Sequence, residues 1–199
     1  MKLPVDYLNN LDDKQYGILM SGGLDSSVLF ALIVKLNPNV RIQPFTVMKP
    51  DGSYKFVDNI IASVNHKFGS SVQHTIMIDN PPNMYHRQYG KYATKYIFDN
   101  YREIERLFNG LNQNPEELSG YNGAPDRSKS ETDLRIIAPF IEYTKETVVE
   151  MMFEHDLEWL SDITHSCTRY SVGRCGVCFQ CQERRLAYAI NGKTDTGVE

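Results

Sequence analysis

A short loop of glycines and hydroxyl residues between two apolar runs is the feature that most constrains the fold of this chain. The loop covers residues 21–27 and reads SGGLDSS. The run before it, residues 16–20, predicts a short buried strand, and the run after it, residues 28–34, predicts an apolar helix with Asp25 or Ser26 as its N-cap. Adjacent glycines let the backbone turn sharply and approach a ligand closely. A strand, such a loop and a helix N-terminus together predict a phosphate-binding site.

The loop contains no lysine, which separates it from a Walker loop, where a lysine reaches the β- and γ-phosphates. The pattern resembles the PP-loop of the ATP pyrophosphatase superfamily, whose members cleave ATP between the α- and β-phosphates. The resemblance implies adenylation of a substrate with release of pyrophosphate. The nucleotide is then expected on Ser21, Gly22, Gly23, Leu24, Asp25, Ser26 and Ser27. A serine–glycine turn without a ligand is the alternative, and seven matching residues in this setting disfavour it.

The four cysteines of the chain, Cys167, Cys175, Cys178 and Cys181, lie close together. Overlapping C-x-x-C pairs allow four thiolates to converge on one tetrahedral ion, which predicts a closed structural zinc site. An iron–sulfur cluster is the main alternative because four thiolates suit it as well. Disulfides are disfavoured because cytosolic conditions keep thiols reduced. His165 is predicted to be a bystander, since the cysteines already fill the coordination shell.

Further segments resemble the 7-cyano-7-deazaguanine synthase family. Residues 138–148 (APFIEYTKETV) are similar to a proline–phenylalanine–isoleucine segment that leads to a lysine at a helix start. Residues 164–167 (THSC) match a threonine-x-serine-cysteine segment, and residues 175–184 match a C-G-x-C-x-x-C-x-x-R run. Residues 119–121 (SGY) resemble a serine–glycine–tyrosine segment, with residues 125–127 (PDR) following after an insertion.

The resemblance implies an ATP-dependent C–N ligase of queuosine biosynthesis. Such an enzyme converts 7-carboxy-7-deazaguanine and ammonia to the nitrile preQ0 through adenylated intermediates, with ATP, Mg²⁺ and Zn²⁺, as a cytoplasmic homodimer. The catalytic residues are then expected to be Asp25, Lys145 and Arg127. Asp25 would hold Mg²⁺, and Lys145 would lie near the phosphates, where neutralising charge offsets its unfavourable place at a helix start.

Contacts with the adenine base and with the second substrate are expected from three further segments. The backbone of Val47 and Met48, at the end of the second strand, is expected to read the adenine edge. An arginine of the cysteine segment is expected to face the substrate, and the candidates are Arg169, Arg184 and Arg185. The loop at residues 112–133 predicts a lid that carries Asp126, Arg127 and Lys129.

Two segments of the family have no counterpart here. Residues 47–54 lack its tyrosine–glycine–glutamine, and residues 81–87 lack its proline–glycine–arginine–asparagine turn. The substrate is therefore less constrained than the ATP chemistry. The alternatives are another PP-loop enzyme that adenylates a different carboxylate or nucleoside, and a non-catalytic zinc-containing binding module. A nucleotide thiolase commonly needs active-site cysteines, and a zinc site would leave this chain no spare thiol.

The composition and the apolar periodicity of the chain agree with an α/β enzyme that binds ATP. The net charge of −4 disfavours a broad nucleic-acid surface, and no apolar run approaches a bilayer span of ~20 residues. We expect a doubly wound, mostly parallel five-stranded sheet (adenine nucleotide alpha hydrolase-like) over residues 1–160, with a zinc-binding helical cap over residues 161–199 packed on it. The later strands are predicted at 40–48, 72–78, 104–111 and 134–141, the later helices at 56–68, 83–100 and 145–155. The polar tail at 191–199 is predicted to be frayed.

Overall fold

The fold is a parallel sheet of five strands flanked by helices, seen in a computed structural model that describes residues 8–9, 11–81, 89–125, 127 and 133–197. The strands are β1 Gln15–Leu19, β2 Arg41–Val47, β3 Ile76–Ile78, β4 Arg106–Asn109 and β5 Ile136–Ile137. The helices are α1 Leu24–Leu36, α2 Val57–Phe68, α3 Tyr89–Asn100, α4 Lys145–Glu154, α5 Leu160–Ile163 and α6 Phe179–Ile190. Short 3-10 helices cover Ser53–Phe56 and Glu116–Leu118.

The strand order, β3-β2-β1-β4-β5, places β1 at the centre of the sheet. Every pairing is parallel, with Gln15 of β1 opposite Arg41 of β2 and Tyr16 opposite Arg106 of β4. The order reverses on the two sides of β1, and ligands of doubly wound sheets bind at the carboxyl end of the strands where this reversal occurs. The predicted fold class is confirmed, and the topology places the loop at 21–27 at this point.

Two apolar layers cover the sheet. The larger layer surrounds α1, whose residues 28–34 are all buried, so that this helix is apolar on every side. The second layer joins Phe45 and Leu107 of the sheet to Ile97 of α3. Helix α6 contributes Tyr188 to the larger layer and packs against α4. The division of the chain into a sheet domain over residues 1–160 and a helical cap over residues 161–199 stays a prediction.

Several predicted boundaries are wrong. The N-cap of α1 is Gly23, so Asp25 lies inside the first turn and its carboxylate is available to partners outside the helix. Strand β3 begins at Ile76, because the preceding residues Gln73 and His74 are exposed to solvent, and β5 has only two paired residues. The helix start predicted at residue 83 lies outside the described residues.

The C-terminal tail is not frayed through residue 197. Asp195 binds the guanidinium groups of both Arg174 and Arg184, and Gly197 is buried beside them. The sequence did not predict this, because the tail's partners are distant along the chain. No helix in the described part of the chain combines the length and the apolar character needed to cross a bilayer.

Candidate active site

The loop between β1 and α1 is shaped by its own hydroxyl groups. The hydroxyls of Ser26 and Ser27 both donate to the Gly23 carbonyl, at 3.3 and 2.8 Å, and the Ser21 amide donates to the Ser26 hydroxyl at 3.1 Å. Gly22 has a φ of 77°, a conformation that glycine adopts without strain. The first-turn amides of α1 and the positive end of its dipole therefore open toward the carboxyl edge of the sheet.

Three other segments press against this loop. A Cβ atom on Gly22 would lie 2.0 Å from the Ser53 carbonyl oxygen, and one on Gly110 would lie 2.9 Å from the Ser26 Cα. The His165 amide donates to the Gly22 carbonyl at 2.9 Å. The segments after β2, after β4 and before the first cysteine thus hold the loop in one shape.

An ionic network lies at the start of α1. The Lys145 ammonium is 2.5 Å from Asp25 Oδ2 and 3.3 Å from Glu183 Oε2. Arg127 binds both Glu183 oxygens with its two terminal nitrogens, and Asn112 Nδ2 donates to Asp25 Oδ1 at 3.3 Å. The Glu183 side chain is 0% exposed, that of Lys145 4% and that of Asp25 19%. Two cations and two carboxylates from four separate segments thus form a neutral cluster.

The structure brings the three predicted catalytic residues into this one cluster. Asp25 comes from α1, Lys145 from the first residue of α4, and Arg127 from the predicted lid. Their catalytic roles stay predictions. Asp126 and Lys129, the other charged residues proposed for the lid, lie outside the described residues.

Sequence reasoning missed Glu183 and Asn112. A signal for Glu183 exists, because Phe179, Glu183 and Ala187 are spaced by four residues and share one face of α6. A carboxylate between two apolar residues on a helix face is expected to be buried and paired. Asn112 carries no comparable signal, since it lies in the segment that follows β4.

The predicted adenine contacts lie at the end of β2. Val47 is buried in the second apolar layer, and the Met48 amide donates to the Ile78 carbonyl at 3.0 Å, so that this amide is used within the sheet. Next to them, burial lowers the pKa of Lys49, an effect that Asp51 partly opposes, and its ammonium lies 6.0 Å from the centre of the Tyr89 ring. The adenine-binding role of this segment stays a prediction.

The four cysteine sulfur atoms lie within 4.8 Å of one another. Two ligands at about 2.3 Å from one zinc ion are at most about 4.6 Å apart, so the group is close to the size of a single-ion shell. Backbone amides point at the sulfurs: the Cys178 amide donates to Cys175 Sγ at 3.2 Å, and the Cys175 amide to Cys167 Sγ at 3.4 Å. The cysteines therefore form a group that can hold a metal ion.

His165 lies beside this group and has other contacts. Its ring stacks on Phe56 with 4.9 Å between ring centres, and its Nε2 atom is 2.7 Å from the Tyr170 carbonyl oxygen. The ring thus joins the cysteine segment to the residues that cover the loop at 21–27, and its role as a bystander stays a prediction.

Arg184 does not face a substrate site, contrary to one of the expectations. Its side chain is fully buried, and it donates to Asp195, to the Thr164 hydroxyl at 3.0 Å and to the Ser161 carbonyl at 2.8 Å. Burial acts to raise the pKa of Asp195, but hydrogen bonds from Arg174 and Arg184 outweigh it and hold this pKa below its usual value. Arg184 and Asp195 are therefore structural.

Comparison with known proteins agrees with these motifs. Residues 99–192 match the family model described as Queuosine biosynthesis protein QueC. The matched segment covers just under half of the chain. It carries Arg127, Lys145, Glu183 and the four cysteines, so three of the four charged residues of the ionic network come from the matched part. The 7-cyano-7-deazaguanine synthase of Methanothermobacter thermautotrophicus is 37% identical over 62 residues, which are 31% of this chain and 27% of that protein.

Solved structures confirm the fold. NMN synthetase from Francisella tularensis superposes with a TM-score of 0.55 at 16% identity, over 96% of this chain and 84% of that one. The U34-tRNA thiolase NcsA from Methanococcus maripaludis, solved with its [4Fe-4S] cluster, superposes with a TM-score of 0.51 at 10% identity, over 92% of this chain and 69% of that one. At such identities the likeness concerns the arrangement of strands and helices.

Proposed function

We propose that this chain is an ATP-dependent C–N ligase that adenylates a carboxylate and transfers the activated acyl group to ammonia. The proposed substrate is 7-carboxy-7-deazaguanine, and the proposed product is the nitrile preQ0. The observation that carries the proposal is the meeting of Asp25 and Lys145 at the N-terminus of α1. The match of residues 99–192 to the QueC model supports the choice of substrate.

In the first half-reaction, the loop amides and the hydroxyls of Ser21, Ser26 and Ser27 hold the β- and γ-phosphates of ATP. Asp25 offers a hard oxygen ligand to Mg²⁺, which would neutralise phosphate charge when bound. The substrate carboxylate attacks the α-phosphorus, the bond to the bridging oxygen breaks, and pyrophosphate leaves with that electron pair. Lys145 stabilises the negative charge that develops on the leaving group.

In the second half-reaction, ammonia attacks the acyl carbon, AMP leaves, and a proton is released, which gives the amide. A second adenylation on the amide oxygen, followed by loss of AMP and a proton, gives the nitrile. Neither step needs a nucleophilic side chain, so the protein's contribution is positioning and charge neutralisation.

The cysteine group is proposed to hold zinc. The spacing of its sulfurs favours one ion, because thiolates bound to the separate irons of a cluster are spread further apart. A zinc ion with four thiolate ligands is structural and would fix the start of α6. All four cysteines of the chain are used in this way, which disfavours a sulfur-transfer reaction.

The direct test is to incubate the protein with Mg-ATP, ammonium and 7-carboxy-7-deazaguanine. We expect pyrophosphate release that depends on the carboxylate, and a product with the mass of the nitrile or of the amide. Pyrophosphate release that requires another carboxylate would redirect the substrate assignment. Absence of pyrophosphate release with every carboxylate and ammonia would refute the ligase.

A further inference from the structure

A buried carboxylate that the proposed chemistry does not use lies behind the phosphate loop. Glu183 is completely buried, and its two oxygens face both cations of the cluster. A buried charge is costly unless it is paired and hydrogen-bonded, and here Arg127 and Lys145 supply the pairing. One side chain thus holds the two cations that the reaction is expected to use.

The two carboxylates that contact Lys145 differ in their surroundings. Asp25 is partly exposed on the first turn of α1, whereas Glu183 is fully buried on α6. In the proposed reaction Asp25 turns to the Mg²⁺-nucleotide and so releases Lys145. Glu183 then is the remaining counterion among the contacts of Lys145, and it keeps the ammonium beside the loop.

Arg127 is held in the same way. Besides its two-pronged contact with Glu183, it donates to the Gln113 carbonyl at 3.1 Å and lies 5.6 Å from the centre of the Phe179 ring. Phe179 is the first residue of α6, one turn before Glu183. The helix therefore supports the guanidinium group both through charge and through an aromatic face.

Helix α6 begins at the cysteine group. Cys178 is its N-cap, Cys181 lies in its first turn, and Glu183 follows two positions later. Whatever fixes these cysteines also fixes the direction from which Glu183 reaches the cations. The cysteine group and the ionic cluster are joined by less than two turns of one helix.

We propose that Glu183 is a positioning residue that holds Lys145 and Arg127 at the phosphate loop and so links the cysteine group to the nucleotide site. The inference rests on the proposed function, because it requires Asp25 to exchange Lys145 for the Mg²⁺-nucleotide. Glu183 itself does not touch the nucleotide. Its effect passes through the two cations.

The test compares Glu183→Gln with Glu150→Gln in the metal-loaded protein. Both changes remove one negative charge, and Glu150 is an exposed residue of α4, the helix that begins with Lys145. We expect Glu183→Gln to weaken Mg-ATP binding roughly tenfold with unchanged metal content, and Glu150→Gln to have no effect. In a Lys145→Met background, Glu183→Gln should add less than about a twofold loss, because the main cation is already absent.

Four results would overturn the inference. The Glu183→Gln variant could bind Mg-ATP as tightly as the Glu150→Gln variant does. Alternatively, Glu183→Gln could reduce Mg-ATP affinity as much in the Lys145→Met background as it does in the wild type. Loss of the metal or a large fall in the melting temperature would make Glu183 a structural residue of the cysteine segment. Protein that binds Mg-ATP but releases no pyrophosphate with any carboxylate refutes the ligase alone, and the binding comparison still decides the role of Glu183. Wild-type protein that does not bind Mg-ATP refutes both.

Discussion

The loop at residues 21–27 and the ionic cluster beside it are built by opposite means. The loop is shaped by neighbours in sequence, since its hydroxyls bond to Gly23 within four residues. The ionic cluster is held by contacts between distant residues: Arg127 and Glu183 are 56 positions apart, and Lys145 and Asp25 are 120 apart. The hydrogen bonds that shape the loop are therefore local, although distant segments cover it, whereas the cluster exists only after the chain has folded around it.

This difference shows which kind of site a sequence motif can predict. A local motif keeps its geometry wherever its few residues occur in a strand–loop–helix setting, so its pattern indicates a phosphate site directly. The charged cluster depends on the packing of α4 and α6, and its members carry no common pattern. Variants in the two regions should therefore fail in different ways, and the following predictions test that contrast.

The largest expected effect belongs to Asp25→Ala. We expect pyrophosphate release to fall by about a thousandfold or more, because the carboxylate proposed to bind Mg²⁺ is removed. The melting temperature should change little, since Lys145 keeps Glu183 as a partner. A pyrophosphate assay and thermal unfolding measure the two effects, with the exposed Asp162→Asn as control. Undiminished pyrophosphate release would remove Asp25 from the mechanism.

The next largest effect concerns the cysteine group. We expect the isolated protein to contain about one zinc per chain, and Cys181→Ser to lose it. The melting temperature should fall by about 10 °C, because metal binding contributes several kcal/mol to folding. Metal analysis and calorimetry test this. Iron with acid-labile sulfide in place of zinc would overturn the single-ion assignment.

A smaller effect on stability is expected from Gly22→Ala in the loop. The new Cβ would lie 2.0 Å from the Ser53 carbonyl oxygen, on a backbone with a φ of 77°. We expect a loss of about 3 kcal/mol in the free energy of unfolding, measured with urea. Gly90→Ala is the control, because no described atom lies within 4 Å of its Cβ position apart from its chain neighbours and the backbone of its own helix. Equal stability of the two variants would show that the loop is less tightly covered than its contacts indicate.

The smallest effect is expected at the C-terminal tail, from Asp195→Asn. Its carboxylate binds Arg174 and Arg184, so the variant should lose about 2 kcal/mol at neutral pH. The pKa of Asp195 in the folded protein is below its ordinary value of 3.8. The contribution of its carboxylate to the free energy of unfolding is therefore fully present above pH 3.8. It should disappear as the pH falls through the lowered pKa.

Urea unfolding of wild type and Asp195→Asn between about pH 7 and pH 3 tests this sign. The two curves should converge in acid, and Asp99→Asn, an exposed residue of α3, should follow the wild type throughout. A difference that grows as the pH falls would contradict the ionic role of Asp195.

Much of the fold follows from periodicity. The apolar run at 28–34 and the stripe of α2 indicate helices, and the alternation of strands and helices predicts the parallel sheet. The short strands β3 and β5 were overestimated, because β-prone composition does not say how many residues find a partner strand. The ordered tail is not predicted, because the partners of Asp195, Arg174 and Arg184, lie 21 and 11 positions away along the chain.

The sequence alone determined the strand–loop–helix around residues 21–27, the grouping of the four cysteines and the class of sheet, because each depends on the spacing of residues that are close along the chain. Only the tertiary structure decided that Asp25, Lys145, Arg127 and Glu183 meet, and that Arg184 turns away to Asp195. The physical reason is that buried charges are tolerated only with partners, and packing decides which partners lie within reach.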